Sequence, residues 1–128
     1  MPASRFEASV RHAGGGSGSP GLAVIDLHGD MDLSAADALN AAFTQASHPA
    51  PTAILLNFGA AGYINSTGIA LLVGLLGQAR RAGIRLVVCG LSDHYLEIMR
   101  ITRLAEFMSV FPDEASALAG LAVSTIKQ

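Results

Sequence analysis

The sequence predicts an α/β domain: a mainly parallel central sheet of about five strands with about four helices. Three observations carry that reading. Short, unbroken apolar runs such as AILLNF (53–58) and IRLVVCG (84–90) have strand length and lack polar alternation, as strands covered on both faces do. Longer helical patterns separate them and suit right-handed crossovers between parallel neighbours. The chain of 128 residues, 51% of them hydrophobic, is long enough for one domain, 1–128, with its own core.

The elements follow in order. Residues 5–12, RFEASVRH, alternate Phe6, Ala8 and Val10 with polar neighbours, the pattern of a half-exposed strand that is free to pair antiparallel. Residues 13–21, AGGGSGSPG, read as a flexible turn. Their GSGSPG has the spacing of a dinucleotide fingerprint, but that motif follows a strand and opens a helix, whereas this one precedes a strand and contains Pro20. LAVIDLHG, 22–29, is a second strand. Next comes a helix in which Ser34 and Asp37 are spaced as a capping box and Leu39, Ala42, Phe43 and Ala46 share one face, and Pro49 and Pro51 end it.

After the 53–58 strand, GAAGYIN (59–65) reads as a loop, and a helix is expected from about Ser66 to Ala82, stopped by Gly83. Residues 84–90 form a buried strand, 92–104 a helix capped by Ser92, and 107–111 a short strand. Pro112, Asp113 and Glu114 begin a last helix to about Val123, leaving 123–128 as a tail.

Composition removes several classes of function. Mean hydropathy is +0.45, yet the longest clean apolar run, Gly68–Gly77, is half the length of the ~20 residues that cross a bilayer. No apolar stretch follows the first Arg as in a secretory signal, so no membrane insertion and a cytoplasmic address are expected. The single cysteine, Cys89, lies in RLVVCGL and reads as a buried strand residue. Eight basic and ten acidic residues are scattered, which leaves no electrostatic footprint for nucleic acid.

Enzyme readings fare no better. His12, His28, His48 and His94 show no metal-ligand spacing, so neither a metal nor a cofactor is expected. A nucleophile elbow needs Gly two residues before its Ser, where Ile64 stands, and a phosphate-binding loop needs a Lys that NSTG lacks. The protein is expected not to be an enzyme.

The informative stretch is YINSTGIALLVGLL, 63–76. Asn65, Ser66 and Thr67 are three candidate caps in a row, and a helix start needs one. At least one hydroxyl is therefore spare, at a place where exposed amides and the helix dipole favour a phosphoryl group. On a helical wheel Ile69, Leu72, Val73, Leu76 and Arg80 form the stripe expected to face the sheet, while Leu71, Leu75 and Gln78 fall elsewhere. A helix so apolar all round is either deeply buried or keeps an apolar face for a partner. Leu71 and Leu75 are the residues such a partner would cover.

The pattern YINSTGIALLVGLL resembles the phosphorylation-site region of STAS-domain anti-sigma factor antagonists: an aromatic, an aliphatic, Asp-Ser-[Ser/Thr]-Gly, then an aliphatic helix. LAVIDLHGDMDLSAADAL is similar to the family's second strand, its Gly-Glu-Leu-Asp element and first helix. GIRLVVCGLSDHYLEIMRITRLAEFMSVFPDEASAL is similar to its C-terminal third, so the resemblance covers roughly residues 5 to 122. It implies a STAS-like fold and a partner switch. The unphosphorylated antagonist, monomeric when free, binds an anti-sigma factor that is also a serine kinase and so frees a sigma factor; phosphorylation breaks the complex and a cognate phosphatase restores it. By position Ser66 matches the phosphoacceptor, Thr67 and Gly68 the rest of the motif, and Asp32 the acidic residue that helps partner recognition. Asn65 replaces the motif aspartate, removing a carboxylate beside the acceptor. STAS domains that act unphosphorylated, in signalling complexes or as transporter subunits, are the alternative.

Overall fold

The computed structural model describes residues 5–13 and 21–126. Its elements are β1 (Glu7–Ala13), β2 (Leu22–Met31), α1 (Ala36–Ala46), β3 (Ala53–Ile64), α2 (Ser66–Ala82), β4 (Arg85–Cys89), α3 (Asp93–Ile101), β5 (Ser109–Phe111) and α4 (Glu114–Ile126). Single 3-10 turns, Leu33–Ala35 and Leu104–Glu106, precede α1 and follow α3. The strands lie in the order β1-β2-β3-β4-β5, with β1 antiparallel to β2 and the remaining pairs parallel. The expected α/β architecture is therefore present.

Each face of the sheet has its own apolar layer. On one, Ile25, Leu27, Ile54, Leu56 and Val88 meet Leu39 and Phe43 of α1, Leu72, Leu75 and Leu76 of α2, and Met99 of α3. On the other, Leu22, Val24, Leu55, Val87 and Cys89 meet Ala117 of α4. This double coverage is why β2, β3 and β4 read as continuous apolar runs. Burying each Leu or Ile stabilises the fold by roughly 1.5–3 kcal/mol.

The structure departs from the sequence expectations at several points. β3 does not stop at Phe58: GAAGYI, read as loop, is strand through to Ile64, because β2 is longer too and pairs with it at His28, Gly29 and Met31 across two register shifts. The Asp30 carboxylate accepts the Tyr63 amide at 2.8 Å. Gly62 suits this strand, since a Cβ there would lie 2.2 Å from Asp30 Oδ1.

Ahead of α1, the cap is Asp32 and not the Ser34–Asp37 box. Its Oδ1 accepts the Ser34 amide at 2.9 Å and the Ser34 hydroxyl at 2.6 Å, so a 3-10 turn forms first and α1 starts at Ala36. α3 ends at Ile101, short of the expected 104, and the chain then turns through Arg103 at φ 67°. β5 starts only at Ser109, and α4 runs past Val123 to Ile126. Of the expected flexible turn at 13–21, Ala13 belongs to β1 and residues 14–20 lie outside the described residues, as do 127–128 of the expected tail.

α2 spans Ser66–Ala82 as expected, and Gly83 ends it in the left-handed region at φ 73°. Its rotation differs. The buried face is Gly68, Leu72, Leu75, Leu76 and Ala79, while Val73 and Arg80, expected to face the sheet, point outward. No helix among the described residues is long and apolar enough to cross a membrane.

Candidate phosphorylation and docking site

β4 ends at Cys89, opposite Asn57, and β1 pairs with β2 as far as Glu7 opposite His28, so β2 and β3 run on together as a two-stranded projection from there to Met31 and Ile64. That projection delivers the β2–α1 turn and the start of α2 to the same end of the molecule. The Asn65 amide donates to the Met31 carbonyl at 3.2 Å, fixing the entry to α2 against the end of β2. Gly68 sits against the same carbonyl. A Cβ at this position would come within 2.4 Å of it and 2.8 Å of Ile64 Cγ2, so only glycine lets the helix approach the strand this closely. From the other side the Tyr95 hydroxyl accepts the Ile64 amide at 2.8 Å.

Asn65 resolves the question of the three caps. Its Oδ1 accepts the Gly68 amide at 2.9 Å while its backbone stays extended, as an N-cap requires. Ser66, the first helical residue, is exposed, and among the described residues its hydroxyl makes no hydrogen bond. Thr67 is half-buried beside it, and Gly68 is buried. Asp32 lies across the Met31–Asn65 contact, on the turn that packs near α2. Its carboxyl is held below the usual range, chiefly by the Ser34 hydroxyl and next by the Ser34 amide.

Two of the expected contact residues behave differently from the rest. Leu75 is 0% exposed and lies in the core, so it cannot line an outer face. Leu71 is half-buried and packs against that core. The outward stripe of α2 is instead Ser66, Ala70, Val73, Gly77 and Arg80, in the alternating three- and four-residue spacing that keeps one side of a helix. Val73 is 47% exposed, and at the far end Arg80 stacks on the Phe107 ring at 5.5 Å.

The sequence reading also missed Leu33 and Tyr63, which are 70% and 66% exposed at the Ser66 end. The start of α2 thus carries an unbonded hydroxyl, with exposed Leu33 on the β2–α1 turn and exposed Tyr63 near the end of β3. Among the described residues no acid or base is bonded to Ser66 Oγ and no His, Cys, Asp or Glu cluster could hold a metal ion.

Residues 17–117 match the family model of the STAS domain, so the chain belongs to the STAS family. Solved structures of similar shape include an anti-sigma factor antagonist from Mycobacterium paratuberculosis, 20% identical, with a TM-score of 0.70 over 91% of this chain and 93% of that one. The anti-sigma factor antagonist SpoIIAA in its unphosphorylated form is 20% identical, with a TM-score of 0.65 over 89% and 96%. A sulfate transporter family protein from Wolinella succinogenes is 19% identical, with a TM-score of 0.70 over 87% and 90%. At these identities the likeness is one of fold: a SpoIIAA-like STAS domain.

Proposed function

We propose that this protein is an anti-sigma factor antagonist that works by partner switching and binds without catalysing a reaction. Unphosphorylated, it docks in the cytoplasm on an anti-sigma factor serine kinase and so frees a sigma factor; phosphorylation of Ser66 breaks the complex, and a cognate phosphatase restores it. The observation that carries the reading is the division of labour at the start of α2: Asn65 caps the helix, leaving the Ser66 hydroxyl exposed and unbonded. A phosphoryl group there adds about −1.5 to −2 charge. That charge would stand at the head of the Ala70–Val73 stripe, at the end of the molecule that also exposes Leu33 and Tyr63, where desolvating it on docking is costly. Asp32, Asn65, Thr67, Gly68 and half-buried Leu71 form or support the contact surface; Leu75 does not.

The test is incubation with the cognate kinase and ATP, followed by intact-mass analysis and site mapping. The reading expects one phosphate on Ser66 and loss of kinase binding by the modified protein. No mass gain together with persistent binding would contradict it. That outcome would favour a constitutive STAS module of a signalling complex or transporter, a reading supported by the likeness to the Wolinella sulfate transporter family protein.

A further inference from the structure

The sheet ends unequally on its two sides. β5, the last strand on one side, has three residues, whereas β1 on the other has seven and carries neither proline nor lysine. Its pairing with β2 runs without a bulge from Glu7 opposite His28 to Ala13 opposite Leu22. An antiparallel strand turns the amide and carbonyl of every second residue away from its neighbour, so the outer edge of β1 presents a row of backbone donors and acceptors. Among the described residues no backbone group bonds to that row. Bulges, prolines and lysines are the usual means of blunting such an edge, and β1 has none of them.

The side chains of β1 suit a second copy of the same strand. Ala8 and Val10 are half-buried against the core on the α1 side, while Glu7, Ser9 and Arg11 alternate with them and are exposed on the other. Laid antiparallel about Ser9, two copies bring Glu7 opposite Arg11 twice, Ala8 opposite Val10 twice and Ser9 opposite itself. A slip of two residues brings Arg5 to Arg11 of the second copy in one direction and leaves Glu7 opposite Ala13 in the other. A parallel alignment would set like charges side by side. Exposed ion pairs add little affinity, so their part is to select direction and register.

Arg11 is already fixed in place. Its Nε and Nη2 donate to the Asp26 carboxylate at 2.6 and 3.1 Å, its Nη1 donates to Glu114 Oε2 at 3.0 Å, and Nη2 donates to Glu114 Oε1. The Asn57 amide donates to Asp26 Oδ1 at 2.8 Å and steadies that carboxylate. Four of the five guanidinium N–H groups are thereby used, which leaves one on Nη1 for the Glu7 of a second copy. The helix over this edge leaves room as well. The Gln78 amide of α2 donates to Asn40 Oδ1 at 3.2 Å, which marks the flank of α1 that faces α2. The opposite flank, toward β1, carries Ala38, Ala41 and Gln45, so two α1 helices could lie side by side with small residues between them.

We propose that the protein pairs with a second copy of itself along β1, joining the two sheets into one about a twofold axis at Ser9. The occupant is a second copy because the charge order of the strand is its own complement in the antiparallel direction. The family resemblance implies a monomer when free, and this edge sets the chain apart from that expectation. The contact uses neither Ser66 nor α2, so its failure would leave the partner-switching reading untouched.

Sedimentation equilibrium of the full-length protein should give a mass that rises from one copy toward two with concentration, as a contact of small area does. Glu7→Arg sets two arginines opposite each other at both ends of the contact and should weaken association at least about threefold. Glu7 is exposed and its side chain makes no hydrogen bond among the described residues, so the variant is expected to fold. Ser9→Cys reads the register. Its two thiols would stand on opposed residues whose Cβ atoms are about 4.5–5.5 Å apart, within reach of a disulfide. Under mild oxidation this variant should form a covalent dimer well ahead of Glu7→Cys, whose thiols would lie four residues out of step, roughly 13 Å apart. Cys89 is buried and does not compete. The proposal is overturned if the wild type stays a single copy at every concentration, if Glu7→Arg associates as tightly as wild type, or if Ser9→Cys crosslinks no faster than Glu7→Cys.

Discussion

The Tyr95 hydroxyl accepts the Ile64 amide at 2.8 Å, so a side chain of α3 takes the place a neighbouring strand would have at the last residue of β3. β4 has ended well before this point. The contact ties α3 to the residue immediately before the α2 cap. Tyr95→Phe leaves that amide unpaired in a half-buried setting and should cost about 1–3 kcal/mol. Thermal melting checks the size of the loss. Hydrogen exchange should locate it at residues 63–66, and unchanged protection there would refute the assignment.

Asn65 and Gly68 are coupled through the cap, and substitutions separate their roles. Asn65→Ala should cost about 1 kcal/mol, whereas Asn65→Asp should stay close to wild type, since a carboxylate accepts the same amide and suits the helix start. Gly68→Ala should be the worse lesion despite its small size, because its methyl has no room against the Met31 carbonyl. Urea unfolding should rank Asn65→Asp the most stable of the three, Asn65→Ala next and Gly68→Ala the least.

The two sides of α2 predict opposite outcomes for one chemical change. Leu75→Glu places a carboxylate in the core and should unfold the protein or destabilise it by more than about 4 kcal/mol. Val73→Glu, on the outer stripe, should leave circular dichroism and melting near wild type while weakening binding to the kinase. Ser66→Asp should likewise lose binding with the fold intact. Equal kinase affinity for wild type and Val73→Glu would show that the stripe takes no part in docking.

The Arg11 cluster sets a pH dependence. Hydrogen bonds from Arg11 are the leading reason that Asp26 and Glu114 titrate below the usual carboxylate range, with Asn57 adding to the effect on Asp26. A carboxyl whose folded-state value is depressed contributes stability above its unfolded value of about 4, and that contribution is lost as pH falls through the folded value. Stability should therefore hold from neutrality to roughly pH 5 and decline below about pH 4. Arg11→Met should flatten that decline. An unchanged acid slope in the variant would mean that other carboxylates govern it.

Signals that act locally were legible in the sequence. Asn65 and Gly83 bound α2 through their own cap chemistry, Ser92 caps α3 at the expected place with the Tyr95 amide, and the runs at 53–58 and 84–90 announced strands buried on both faces. What depends on a distant neighbour was not. The extension of β3 through Gly59 and Gly62 needs the overlong β2 and the Asp30 carboxylate, neither of which is visible from GAAGYI alone. The rotation of α2 was hidden because Leu71, Leu72, Leu75 and Leu76 present apolar groups all round. It is decided by Gly68 lodging on Met31, a contact between segments far apart in the chain. Leu33 and Tyr63 carry no sequence mark of exposure, since that is a property of the folded surface.

The paired overhang of β2 and β3 has a mechanical consequence. Its pairing, interrupted by two register shifts but tied by the Asp30 carboxylate and the Tyr95 hydroxyl, is rooted in the sheet, so the serine follows an anchored strand end and not an unpaired loop. Loading such a mount with a doubly charged group leaves the backbone little slack with which to swing it aside. A visiting molecule would then meet a change of electrical character on an unaltered contour.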